Sequence, residues 1–208
     1  MVLTPSQMVP LGTALPLPLL TAELASGGAR QVSGSPDLQQ ALASGSLAGR
    51  PLLVLFICAH CPFVKHIEAE ISRLQRDLPE VQLIAISSNS ILSHPQDGPE
   101  GLQAQASAHG WTFPYLFDAG QRLAQGFTAA CTPDPFLYRW DAAAGCHQLA
   151  YRGQFDASRP GNELPCDGAD IRAAMAALLE GRPEPREQRP SIGCNIKWRA
   201  GEEPEWAR

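Results

Sequence analysis

Cys58 and Cys61 stand two residues apart in the run Cys58-Ala59-His60-Cys61. That spacing lets two sulfurs close a short ring, so whichever thiol attacks a partner can be released from it by its neighbour. The pair follows the apolar run Leu52 to Ile57 and precedes a helix-patterned stretch opening at Pro62. A strand would therefore deliver both thiols to the first turn of a helix, where unpaired backbone N–H groups and the positive end of the helix dipole favour a thiolate. The chemistry this predicts is disulfide exchange at a reachable, electropositive corner. Ribbon-type zinc ligation would need a second close pair, whereas Cys131, Cys146, Cys166 and Cys194 are single and scattered.

Lowering a thiol pKa from about 8.5 to about 7 takes roughly 2 kcal/mol, and a helix N-terminus supplies about 0.3 to 1. A further group must contribute, and His60 is the nearest candidate, followed by Lys65. The same residue types allow another chemistry. Cys58 and Cys61 with His60 or His66 offer thiolate and imidazole ligands suited to copper(I) or zinc.

The elements that must position these residues are legible in outline. Leu52 to Ile57 is continuous and partly β-branched, as suits a strand buried on both faces. Val64, Ile67, Ile71, Leu74 and Leu78 recur at helical spacing and end before Pro79, and Val81 to Ile86 repeats the strand pattern. Strand, helix and strand make a right-handed unit with parallel strands. The stretch Ser87 to Gly101 reads as a loop with turns at Pro95, Asp97-Gly98 and Pro99, followed by a helix over Leu102 to His109. Tyr115 to Phe117 is a short strand and Ala119 to Phe127 a short helix. Phe136 to Trp140 and Gln148 to Tyr151 form an antiparallel hairpin, so the sheet is mixed. Asp167 is the expected cap of a last helix carrying Ile171, Ala174, Met175 and Leu178.

The chain has 208 residues, 44% hydrophobic and 18% charged, enough for one good core. Its organisation reads as a catalytic domain over residues 50–182, an extension over 1–49 packed on it and a polar tail over 183–208. Within the tail, Ser191 to Trp198 places an apolar pair, a thiol and a Trp where composition otherwise predicts disorder, so something anchors it. The net charge of -5 comes without a basic stripe, which excludes nucleic acid as an expected partner. Leu11 to Leu20 is apolar but broken by Pro16 and Pro18, with no Lys or Arg before it, unlike a secretory signal. No run is long enough to span a bilayer, and the expectation is a soluble, cytoplasmic protein without a membrane partner.

The order strand, C-x-x-C helix, strand, helix, Thr-Pro, hairpin and helix resembles the thioredoxin fold, an α/β fold with helices flanking a mixed central sheet. The resemblance is closest to the peroxiredoxin-like redoxins related to alkyl hydroperoxide reductase and thiol-specific antioxidant. It is carried by Phe56 to Ile67, Tyr151 to Asn162 and Ser191 to Trp198. It implies a cis proline at Pro133, with Thr132 facing the dithiol, and no cofactor beyond a redox-active disulfide. The buried acid that thioredoxin places in the preceding strand would fall near Leu52, so this chain lacks that proton acceptor. The peroxiredoxin pattern P-x-x-x-T-x-x-C finds Pro51 and Cys58 but Leu55 in place of Thr. The remote arginine of that pattern would be Arg152 or Arg159. Cys131 and Cys194 are candidate further redox thiols, or buried small hydrophobes.

The resulting expectation is a thiol–disulfide oxidoreductase in redox homeostasis or antioxidant defence. Cys58 attacks a disulfide or sulfenic acid and Cys61 resolves the mixed disulfide, with a thiol reductant as partner. The alternatives are a thiol peroxidase acting on a peroxide and the Cys/His metal site.

Overall fold

The computed structural model describes residues 3–185 and 187–207. In chain order the elements are β1 (Leu3–Pro5), α1 (Leu17–Ser26), β2 (Ala29–Ser33), α2 (Leu38–Ser44), β3 (Leu52–Phe56) and α3 (Pro62–Asp77). Then come β4 (Gln82–Ser87), a 3-10 turn at Pro95–Asp97, α4 (Pro99–His109), β5 (Tyr115–Asp118), α5 (Arg122–Phe127) and β6 (Cys131–Thr132). The chain closes with β7 (Asp134–Asp141), β8 (Cys146–Arg152), α6 (Ala169–Leu179), β9 (Ile192–Asn195) and a second 3-10 turn at Glu205–Ala207.

Six strands form the central sheet in the order β2-β5-β4-β3-β7-β8. β3 pairs parallel with β4 and antiparallel with β7, so the sheet is mixed, as the sequence predicts. Because side chains alternate along a strand, β3 feeds two cores at once. Leu53 and Leu55 pack with the α3 stripe of Val64, Ile67, Ile71 and Leu74 and with α6. Leu52, Val54 and Phe56 pack on the other face with Leu20, Leu38 and Phe127 from α1, α2 and α5. All five β3 residues are fully buried, which explains their unbroken apolar run.

The end segments are built into the sheets. β2, from within 1–49, is an edge strand of the central sheet, antiparallel to β5. β9, from the tail, lies between β1 and β6 in a second, three-stranded sheet. α1 has no counterpart in the sequence reading, which treats Pro16 and Pro18 as interruptions. Both sit at the helix start, where a missing N–H costs nothing and the fixed φ suits the first turn. Asp167 does not cap α6. That helix starts after Gly168 in the left-handed conformation (φ +62°), while Asp167 accepts from the Ala169 amide at 3.0 Å. Among the described residues, no helix is long and apolar enough to cross a membrane.

Candidate active site

β3 ends at Phe56 and Cys61 is the N-cap residue of α3, with Pro62 in the first turn. The dithiol thus occupies the strand-to-helix corner the sequence predicts. Both cysteines pack into one buried cluster. Opposite them, Thr132-Pro133 is cis. Thr132 Oγ1 is 3.5 Å from Cys58 Sγ, and the Thr132 carbonyl oxygen is 3.3 Å from Cys61 Sγ.

Two expectations about this corner need correction. Neither thiol is reachable from solvent, because both cysteines are 0% exposed. The corner is also not simply electropositive. Asp97, from the 3-10 turn and likewise fully buried, is inserted into it. Its Oδ1 accepts from the backbone amides of Ala59 (2.9 Å) and His60 (3.0 Å), and its Oδ2 from Asn89 Nδ2 (2.8 Å). His60 Nδ1 is 2.5 Å from Asp97 Oδ2 and 3.6 Å from Cys58 Sγ. Burial pushes against the Asp97 carboxylate, yet His60 and Asn89 outweigh it and hold the carboxyl below its usual range. In the sequence Asp97 precedes a glycine and is flanked by prolines, so it is indistinguishable from an ordinary turn acid.

This arrangement splits the two thiols. Cys58 is pushed well up by burial, by its hydrogen bond to Cys61 and by the Asp97 charge. Cys61 is drawn down to about 5, first by Cys58, against burial and with help from Cys194, Thr132 and the Val64 amide in the first helical turn. The Thr132 carbonyl favours a protonated Cys61, but several donors outweigh one acceptor. The negative charge of the reduced pair therefore rests on Cys61, with the proton on Cys58. Ultraviolet thiolate absorbance should accordingly rise in a step near pH 5, well below an ordinary cysteine, and Cys61→Ser should abolish that step. A single transition near the ordinary thiol range in the unsubstituted protein would contradict this distribution.

The other predicted site residues are placed as follows. His60 is at the site, its side chain 17% exposed and its ring 4.4 Å from that of His94. Lys65 is exposed and its ammonium takes no part in the site's hydrogen bonds. Arg152 does not approach the dithiol. It is fully buried and forks onto Asp134, with Nη2 3.0 Å from Oδ2, and its Nε donates to the Gln7 carbonyl. Arg159 donates to the carbonyls of Asp156 and Ser158 and to Gln154, on the wall of a narrow cleft beside Pro133. Cys131 is buried, its sulfur 3.8 Å from the Pro133 carbonyl, and burial and Asp134 push its thiol up. Adjacent strand residues face opposite ways, so Cys131 turns from the dithiol as Thr132 turns towards it. Cys194, by contrast, pairs in register with Thr132 and belongs to the buried cluster that holds Cys58 and Cys61.

Cys58, His60 and Asp97 form a group whose S, N and O atoms lie within 4.8 Å of one another. His66 is not in it; its Nε2 pairs with Ser158 Oγ at 2.7 Å. Behind the corner, Gln105 donates to the Cys58 carbonyl (3.2 Å) and to Glu68 (2.7 Å), and accepts from Tyr115 (3.0 Å). Asp97, Asn89 and Gln105 are the site residues that sequence reasoning misses.

A C-x-x-C helix facing a Thr-Pro turn on a mixed, helix-flanked sheet defines a thioredoxin-like protein of the redoxin superfamily. The chain belongs to the AhpC/TSA family, which its residues 31–156 match. An uncharacterized conserved protein from Geobacillus kaustophilus is 37% identical with a TM-score of 0.79, over 97% of this chain and 98% of that one. A hypothetical protein from Sinorhizobium meliloti is 36% identical with a TM-score of 0.79, over 95% and 100%. A thiol-disulfide isomerase from Corynebacterium glutamicum shares the fold at 20% identity and a TM-score of 0.51, over 72% and 90%. Among curated proteins, none matches.

Proposed function

We propose that the chain is a thiol–disulfide oxidoreductase whose exchanging pair is Cys58 and Cys61. The observation that carries this reading is the placement of Cys58 and Cys61 at the start of α3, with both sulfurs against Thr132 of the cis Thr132-Pro133 turn. Membership of a redoxin family supports it. His60 is the partly exposed side chain touching Cys58, so it marks the side from which a substrate disulfide approaches. Cys58 Sγ attacks one substrate sulfur while its proton passes to Cys61, and the other substrate sulfur leaves as a thiolate. Cys61 then gives up that proton to the departed thiolate and attacks Cys58 Sγ. The Cys58–Cys61 disulfide forms, the mixed disulfide breaks, and the second substrate sulfur is released as a thiolate.

Trapping tests the roles. Cys61→Ser leaves Cys58 without its resolving partner and should accumulate a mixed disulfide with a model disulfide peptide, seen by mass spectrometry. Cys58→Ser should accumulate none with that substrate. Equal trapping by both variants would overturn the assignment.

Peroxide reduction is the weaker reading despite the family. Leu55 stands where a threonine is needed, Arg152 is committed to Asp134, and Arg159 to its own loop. A metal site is weaker too. The Asp97 carboxylate already accepts from two amides, Asn89 and His60, and His66 lies outside the group.

A further inference from the structure

The tail strand β9 lies along β6 in antiparallel register, with Asn195 opposite Cys131 and Cys194 opposite Thr132. Addition of an extended segment to a free strand edge is a general way for a peptide to dock. Here the edge beside the dithiol is taken by the chain's own tail. The tail is tied on both sides of Cys194. Ser191 Oγ donates to the Pro133 carbonyl (2.7 Å), the Ile196 amide to the Ala130 carbonyl (3.1 Å) and the Lys197 amide to Asn89 Oδ1 (2.8 Å). Close approach depends on Gly193, where a Cβ would fall 2.1 Å from the Thr132 carbonyl oxygen, a backbone atom that cannot swing away.

Register partners on neighbouring strands present their side chains to the same face. Thr132 meets Cys58 and Cys61 across that face, and its register partner Cys194 lies in the same buried cluster as both. A cysteine therefore stands where a docked peptide would bring its own sulfur to the pair. We propose that Cys194 is a third redox thiol, an internal exchange partner that takes the disulfide from Cys58–Cys61 and holds it as Cys61–Cys194.

The step rests on the exchange function proposed above, since a substrate disulfide must first oxidise Cys58 and Cys61. Cys194 Sγ then attacks Cys61 Sγ. The S–S bond between Cys58 and Cys61 breaks, one between Cys61 and Cys194 forms, and Cys58 leaves as a thiolate that takes the Cys194 proton. No further oxidant enters. In the reduced protein burial and the neighbouring Cys61 push the Cys194 thiol up to about 12, and once Cys61 is in a disulfide its share of that opposition is gone. The disulfide is then stored between helix and tail, locking the tail over the site.

The test equilibrates the full chain across a series of glutathione redox buffers, followed by acid quench, alkylation and peptide mapping. The expected result is a Cys61–Cys194 cross-linked peptide alongside Cys58–Cys61, each lacking its two thiol hydrogens. In Cys58→Ser, where Cys61 attacks glutathione disulfide directly and Cys194 then displaces the bound glutathione as its thiolate, Cys61–Cys194 should be the only disulfide among the three. Gly193→Ala should displace the tail and lower the yield of that cross-link by about tenfold through lost effective concentration, with Cys58–Cys61 retained. Cys194 alkylated in full at every potential, in both the unsubstituted protein and Cys58→Ser, would overturn the proposal while leaving the Cys58–Cys61 exchange intact. Failure of Cys58 and Cys61 to oxidise at any potential, in the unsubstituted protein and in Cys194→Ser, would overturn the exchange function and this proposal together.

Discussion

Arg152→Ala is expected to lower the unfolding free energy by about 3–5 kcal/mol, the usual cost of breaking a buried ion pair by deleting one member. Arg152 and Asp134 are both fully buried and joined as a fork, so the variant strands a carboxylate with no cation. The guanidinium also stacks 3.8 Å from the Phe136 ring centre and donates to the Pro135 and Gln7 carbonyls. Against a typical total of about 5–15 kcal/mol, this is a large share. The pH dependence separates this cause from lost packing. Burial already pushes the Asp134 carboxyl up, against the opposing pull of Arg152. Without that pull it rises further, and the folded state binds a proton that the unfolded state has released. Between the two pKa values the folded state holds more protons, so the variant loses stability as pH rises. The gap between variant and unsubstituted protein in urea melts should therefore narrow in acid. A loss below about 1 kcal/mol, or a pH-independent one, would refute this account. Function follows from position, because the Ala130 amide donates to Asp134 Oδ2 and Asp134 directly follows Pro133. The pair holds the segment that faces the dithiol.

How far the sequence exposes this site depends on how far apart its parts lie along the chain. The corner itself is legible, because a continuous apolar run, two close cysteines and a helical stripe are contiguous from Leu52 to Leu78. Thr132 and Pro133 are legible through the family resemblance and stand where it puts them. What cannot be read is the burial of the thiols. It is imposed by residues far along the chain, Asp97 from a turn and Cys194 from a tail whose composition alone suggests disorder. Local pattern carries no record of such pairings, and Arg152 shows the same limit. An arginine in a loop-like sequence reads as available, whereas its acid partner on an adjacent strand has already claimed it. The tail segment is a partial exception. Its apolar pair, thiol and Trp mark it as anchored, though not to what.

Asp97→Ala is expected to cost about 3 kcal/mol and to dismantle the corner, since it leaves the buried Asn89 side chain and the half-buried Ala59 and His60 amides without their acceptor. Asn89 cannot turn to compensate, because its Oδ1 already accepts from the Lys197 amide. The loss should spread from dithiol to tail, and Cys194 should become open to alkylation in the reduced protein. Asp97→Asn isolates the electrostatic part. Its amide oxygen can keep both backbone bonds and the charge beside Cys58 is removed, at the loss of the Asn89 bond, since its NH2 faces the Asn89 donor. That charge is one of the causes pushing the Cys58 thiol up, so Cys58 should become more acidic and react faster with iodoacetamide near neutral pH. Position and charge are then separable. If Asp97 only props the backbone, Asp97→Asn will leave Cys58 reactivity unchanged. If it also keeps the proton on Cys58, the Asn variant will fold and yet alkylate faster, and the same change will redistribute charge from Cys61 to Cys58, weakening the thiolate step near pH 5.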